Sequence, residues 1–168
     1  MRFPAIAKAL LSLPAESALL DGEVAFVLPS GITDFKSLQE HIDTPNPAIR
    51  YFVFDLLALD GKHLRKKPLK ERRALLAKLM AAKSVSNWLV YADYVEGSGP
   101  EFFAQACAAG LEGIVSKRAD RPYISGRGKD WLKIKCTRGE EFVIGGYSRS
   151  EVRGKPFSSL LLLSLIHI

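Results

Sequence analysis

Two short segments carry side chains suited to phosphate chemistry. They are Glu112-Gly113-Ile114-Val115-Ser116-Lys117-Arg118 and Trp131-Leu132-Lys133-Ile134-Lys135-Cys136. Successive side chains of a strand point to opposite faces, so Trp131, Lys133 and Lys135 face one way and Leu132, Ile134 and Cys136 the other. Two ammonium groups on one strand face repel unless an anion or solvent lies between them. A carboxylate heading one strand beside paired lysines on another suits a triphosphate with its cation: the lysines meet phosphate oxygens and the carboxylate meets the metal. The same pattern also describes a solvated edge strand whose lysines guard against aggregation.

The elements that must position these groups are legible around them. A short N-terminal helix ends before Pro14, and Leu19 to Leu28 reads as a strand with Val24, Phe26 and Leu28 on one face. A helix follows over Phe35 to His41. The nearly continuous apolar run Tyr51-Phe52-Val53-Phe54-Asp55-Leu56-Leu57 reads as a central strand. Pro68 opens a helix whose residues Leu69, Leu76, Leu79 and Met80 form a buried stripe. Trp88 to Val95 is expected as a strand, and Ser98 opens a helix that ends at Gly110. The loop Arg121 to Lys129 separates the two phosphate-suited strands, and Glu140 to Tyr147 reads as one more strand. Strands and helices in this irregular order predict an α+β domain.

The 168 residues suffice for one domain and part of another, and 48% hydrophobic content excludes global disorder. Lys plus Arg, 24, exceeds Asp plus Glu, 18, which favours a polyanionic partner such as nucleic acid or nucleotide. Cys107 and Cys136 each sit in an apolar pattern and are expected as buried free thiols of a reducing compartment. His41, His63 and His167 lack the spacing of a zinc site. The opening residues do not resemble a signal peptide, and the apolar run from Leu160 to Ile168 is too short to span a bilayer. A cytoplasmic chain with no membrane partner is expected.

Five segments then fall in order: Leu20-Asp21-Gly22-Glu23, Tyr51 to Leu57, Glu112 to Lys117, Tyr123 to Arg127, and Trp131 to Lys135. Together they resemble the nucleotidyltransferase (adenylation) domain of ATP-dependent DNA ligases, and most of all the ligase domain of bacterial ligase D, an end-joining enzyme. The resemblance covers roughly Pro4 to Tyr147. It implies an ATP-grasp-like core of antiparallel and mixed sheets with flanking helices, followed by the first strand of an oligonucleotide-binding (OB) fold. On that basis residues 1–138 form the adenylation domain, 139–157 the start of the OB domain, and 158–168 a truncated or out-of-frame tail not expected to pack as a strand.

The resemblance also implies covalent catalysis with ATP and Mg²⁺ or Mn²⁺. A lysine attacks the α-phosphate, AMP passes to a DNA 5′-phosphate, and a 3′-hydroxyl displaces it. By the same resemblance Glu23 lies by ribose and metal, Phe54 stacks on adenine, and Glu112 holds the cation. Lys133 and Lys135 neutralise the α-phosphate. Phe52 shares a strand face with Phe54, so either ring can be the one that stacks. Lys117 is a further nucleotide-binding candidate, although alternation from Glu112 puts it on the opposite face. Arg127 is a candidate for phosphate or DNA backbone.

The implied partners are nicked or broken double-stranded DNA and end-binding repair proteins, in a bacterial, nucleoid-associated setting of DNA repair and recombination. The family's nucleophile stands in a Lys-x-Asp-Gly motif ahead of the Asp-Gly-Glu segment. Here Lys8, in Ala7-Lys8-Ala9-Leu10, is the sole lysine before Glu23 and does not match, so the chain is expected to be a ligase fragment without its own attacking group. Two other readings are an RNA ligase or capping-type nucleotidyltransferase, and a non-catalytic nucleotide- or DNA-binding module.

Overall fold

A strand rich in aromatic and β-branched residues, β2 (Ile49–Leu59), organises the fold. The computed structural model describes residues 3–42, 44, 46–82, 84–126, 128–136 and 142–164. Two compact units emerge, Met1–Lys135 and Cys136–Ile168.

In the first unit β1 (Ala18–Phe26) pairs antiparallel with one edge of β2. The other edge of β2 takes β4 (Leu89–Tyr91) in parallel and the short β3 (Lys62–His63) antiparallel. Its architecture is mixed α+β, as expected. Alternation along β2 buries Val53, Asp55 and Leu57, and Leu56 is buried as well. Val53 and Leu56 pack with Leu64, Leu76 and Leu79 in the main core, the last two from α3 (Leu69–Met80). A second core joins Ile6 and Ala9 of α1 (Pro4–Leu10) to Ile49 and Leu89. The short α2 (Phe35–Glu40) is capped by Asp34, whose carboxylate accepts from the Ser37 amide at 2.7 Å.

The expected stripe of α3 is present, with Leu69, Leu76 and Leu79 buried, but Arg72 and Arg73 are buried on the same helix. Arg73 also explains why β4 is shorter than the run Trp88 to Val95. Its guanidinium donates to the carbonyls of Phe54, at 3.0 Å, and Ala92, at 2.6 Å. The Ala92 amide still donates to the Val53 carbonyl of β2, but its own carbonyl is turned to Arg73, and the paired register ends at Tyr91. α4 (Gly99–Ala108) packs on β5 (Gly113–Lys117), which pairs with β6 (Trp131–Lys135) in a separate two-stranded sheet.

Two expectations are corrected here. Cys107 and Cys136 are disulfide-bonded rather than free thiols; strand and helix alternation assigns a thiol to a face but does not say which other element approaches it. In the second unit the tail forms β8 (Ser159–Ser164), antiparallel to β7 (Phe142–Ser148), with Tyr147 opposite Leu160 and Phe142 opposite Ser164. The run itself holds no turn because the turn precedes it, where Gly154 adopts φ +87°. Ser148 closes the hairpin with 2.7 Å hydroxyl contacts to Ser158 and Ser159. No helix among the described residues is long and apolar enough to cross a membrane.

Candidate functional site

The β5–β6 ladder sets Gly113 opposite Lys135, Val115 opposite Lys133 and Lys117 opposite Trp131. Directly opposed residues share a face. One face therefore carries Lys117 and Trp131 at one end and Lys133 and Lys135 towards the other, about 13 Å from Trp131 to Lys135 at the usual strand rise.

Alternation placed Lys117 across the sheet from Glu112, and the structure corrects this. Gly113 has φ +153°, and a Cβ there would overlap the Ile134 carbonyl oxygen. That backbone, open to glycine alone, interrupts the alternation between Glu112 and the strand. The Glu112 carboxylate consequently reaches the lysine face, 3.1 Å from Lys133 Nζ and 3.0 Å from Lys135 Nζ. All three side chains are solvent-exposed. Hydrogen bonds from Lys135 and Lys133 hold the Glu112 carboxyl below the usual carboxylate range.

The other end of the face is aromatic. Trp131 meets Phe54 of β2 edge-on, with centroids 5.9 Å apart, and Tyr123 edge-on at 5.7 Å. Between the first two rings sits the Lys117 ammonium, 3.8 Å from the Phe54 centroid and 3.7 Å from that of Trp131. Burial pushes this ammonium down to about 8. Of the two phenylalanines of β2 that share a face, Phe54 thus borders the charged strand pair.

β1 supplies the acidic edge. Glu23 lies exposed opposite Phe52. The strand is bulged just before it, between Asp21 and Gly22. Gly22 fits there because any Cβ would collide with the Phe52 carbonyl and the Tyr51 ring. Asp21 accepts a 2.7 Å hydrogen bond from the Tyr123 hydroxyl. Burial, and then this bond to a carboxylate, push the Tyr123 phenol up to about 12.

Beneath the site lies a buried polar network that sequence reasoning missed. The Arg72 guanidinium donates from Nε and Nη2 to the two Asp55 oxygens, and its Nη1 reaches the Arg121 carbonyl at 3.3 Å. The amides of Leu69 and Lys70, at the start of α3, donate to the carbonyls of Arg121 and Ala119, and the Tyr123 amide donates to the Arg65 carbonyl. The connection from β5 to β6 is thereby fastened to the head of α3, which fixes Tyr123 against Trp131. An aspartate inside an apolar strand and arginines inside a helix stripe were the available signals.

Among the described residues no three His, Cys, Asp or Glu side chains converge as a metal site. The Glu112 carboxylate is instead taken up by the ammonium groups of Lys133 and Lys135. Arg127 lies outside the described residues.

Residues 2–135 match the model of a family described as the ATP dependent DNA ligase domain. The chain is 36% identical over 162 residues to the multifunctional non-homologous end joining protein LigD of Pseudomonas aeruginosa, covering 96% of this chain and 19% of that protein. It is 34% identical over 146 residues to the SPbeta prophage-derived DNA ligase-like protein LigB of Bacillus subtilis, covering 85% of this chain and 53% of its relative. Among solved structures, a mycobacterial DNA ligase D complexed with ATP and MES superposes with TM-score 0.67 at 32% identity, covering 94% of this chain and 48% of that one. The ligase domain of Mycobacterium tuberculosis LigD gives TM-score 0.65 at 33% identity, covering 94% and 49% of the two chains. The chain thus spans between a fifth and about half of the length of these relatives.

Proposed function

Because the chain belongs to the ATP-dependent DNA ligase domain family, we propose that the β5–β6 face and the neighbouring edge of β2 form an ATP site serving the sealing of DNA breaks in end-joining repair. One observation carries this reading: a single sheet face runs from an aromatic cleft at Phe54 and Trp131 to the cluster of Glu112, Lys133 and Lys135. An adenine fits the aromatic end and phosphates fit the charged end. The ATP complex of a mycobacterial relative at 32% identity supports the assignment.

In this arrangement Phe54 stacks on the base, and Lys133 and Lys135 neutralise negative charge on the α-phosphate as it builds during adenylyl transfer. Glu23 approaches the ribose. Glu112, with Glu23, holds a divalent cation such as Mg²⁺ or Mn²⁺, which would withdraw charge from the phosphates. The basic surplus of the chain suits a DNA duplex carrying a nick or break. Residues 1–138 correspond to the adenylation domain and 139–157 to the start of an OB domain. Arg127 is assigned to phosphate or DNA backbone. The work is placed in the bacterial cytoplasm, at the nucleoid, alongside end-binding repair proteins.

ATP binding by the chain, measured calorimetrically with and without Mg²⁺, tests this. Lys133→Ala and Lys135→Ala should each weaken ATP binding by roughly tenfold or more, the size of a lost charge-assisted contact. Glu112→Ala should remove the Mg²⁺ dependence. Unchanged ATP affinity in both lysine variants, with normal melting temperatures, would assign the strand to solubility instead.

A further inference from the structure

We propose that Lys117 is a resident occupant of the base cleft: its ammonium fills the gap between Phe54 and Trp131, and a purine that stacks there must displace it. The inference rests on the ATP-site reading and concerns what sets the strength of base binding. The ammonium is nearly equidistant from the two ring centroids, 3.8 and 3.7 Å. The ring planes stand 73° apart with centroids 5.9 Å apart, so their faces form a corner that holds one group at a time. A cation over an aromatic face is attracted to its quadrupole, more strongly when desolvated. Lys117 therefore competes with the base for the surface on which the base stacks.

The surroundings tune this competition. Asp55 on β2 and Asp21 on β1 favour the charged ammonium, whereas Arg73 and Arg72 on α3 and burial of the group oppose it. Its pKa of about 8 places the loss of charge close to neutral pH. Once neutral, the amine loses its attraction to the rings and yields the cleft more readily. The flexible four-carbon stem of lysine allows the head group to swing aside without strand movement.

The test uses adenosine, which has no phosphate to recapture the displaced ammonium, and a chain labelled with ¹³C at lysine Cε. In the free protein the Lys117 Cε protons should show ring-current shifts from Phe54 and Trp131, and these shifts should collapse in step with adenosine binding. Lys117→Ala should bind adenosine more tightly, by roughly tenfold, comparable to a partly desolvated cation–π contact. Adenosine binding to the unmodified chain should tighten between pH 7 and 9, and the variant should lose that dependence. Lys117 resonances that stay in place while adenosine saturates would overturn the proposal, as would equal or weaker adenosine binding by Lys117→Ala. Phe54→Ala separates the two readings. If it abolishes adenosine binding while Lys117→Ala changes nothing, the cleft stands and the displacement fails. If Phe54→Ala binds as the unmodified chain does, the base-stacking assignment itself fails.

Discussion

Arg72 and Asp55 form a bidentate ion pair, at 2.8 and 2.7 Å, with both side chains fully buried. Asp55 stands next to Phe54 on β2, and Arg72 also reaches the carbonyl of Arg121, so the pair joins the aromatic corner of Phe54 and Trp131 to the loop that carries Tyr123.

Removing one partner strands a buried charge, which typically costs about 3–5 kcal/mol. Asp55→Leu and Arg72→Met should each lower stability by that order in urea unfolding. The double variant Asp55→Leu with Arg72→Met should cost less than the sum of the single changes, because neither charge is left alone. Strict additivity would mean that the two groups act independently.

Gly113→Ala tests how Glu112 reaches the lysines. The positive φ alone should cost about 1–3 kcal/mol, and the new methyl group would press on the Ile134 carbonyl. If the strand shifts to relieve it, Glu112 moves away from Lys133 and Lys135. Its carboxyl should then titrate closer to an ordinary glutamate, visible in a carbon-detected NMR titration. An unchanged titration with unchanged stability would show that alanine fits the site.

The Tyr123 phenol gives a pH signature in the alkaline range. Its folded pKa is about 12, raised from 10.0. Between those values the unfolded chain has released the proton while the folded chain keeps it. Stability therefore falls as pH rises through that window. The advantage of the unmodified chain over Tyr123→Phe, read from urea midpoints, should be present at pH 9 and smaller at pH 11. An advantage that grows across this interval would contradict the hydrogen bond to Asp21.

The 168 residues contain no Lys-x-Asp-Gly. Incubated alone with labelled ATP and Mg²⁺, they should form no covalent adenylate, as read by intact mass. An adduct one AMP heavier would identify a nucleophile outside that motif, with Lys8 the first residue to check.

The elements around the site could be read from local pattern: a nearly continuous apolar run marked β2, a buried stripe marked α3, and alternation of residue type marked β5 and β6. The same logic put Trp131, Lys133 and Lys135 together. It failed at Lys117 because one glycine with an unusual φ interrupts the count between it and Glu112. It failed at Arg72 because a helix stripe is scored by apolarity, and a guanidinium enters the interior only where a distant aspartate meets it. It failed for β8 because a strand's partner lies outside the run being read. Tyr123 illustrates the remaining gap: its bond to Asp21 spans 102 residues, a distance over which local patterns carry no information.

That separation has a consequence for the order in which the protein can be completed during synthesis. The first amides of α3 and the carboxylate of Asp21 find their partners in residues 119–123. Between Arg72 and the Arg121 carbonyl the chain grows by 49 residues, a wait of roughly 3–10 s at ordinary translation speeds. Until then the nascent sheet of β1 and β2 waits with the charge of Asp21 unanswered and the head of α3 open. A ribosome paused shortly before residue 119 would therefore hold a half-built domain that chaperones and proteases can still recognise.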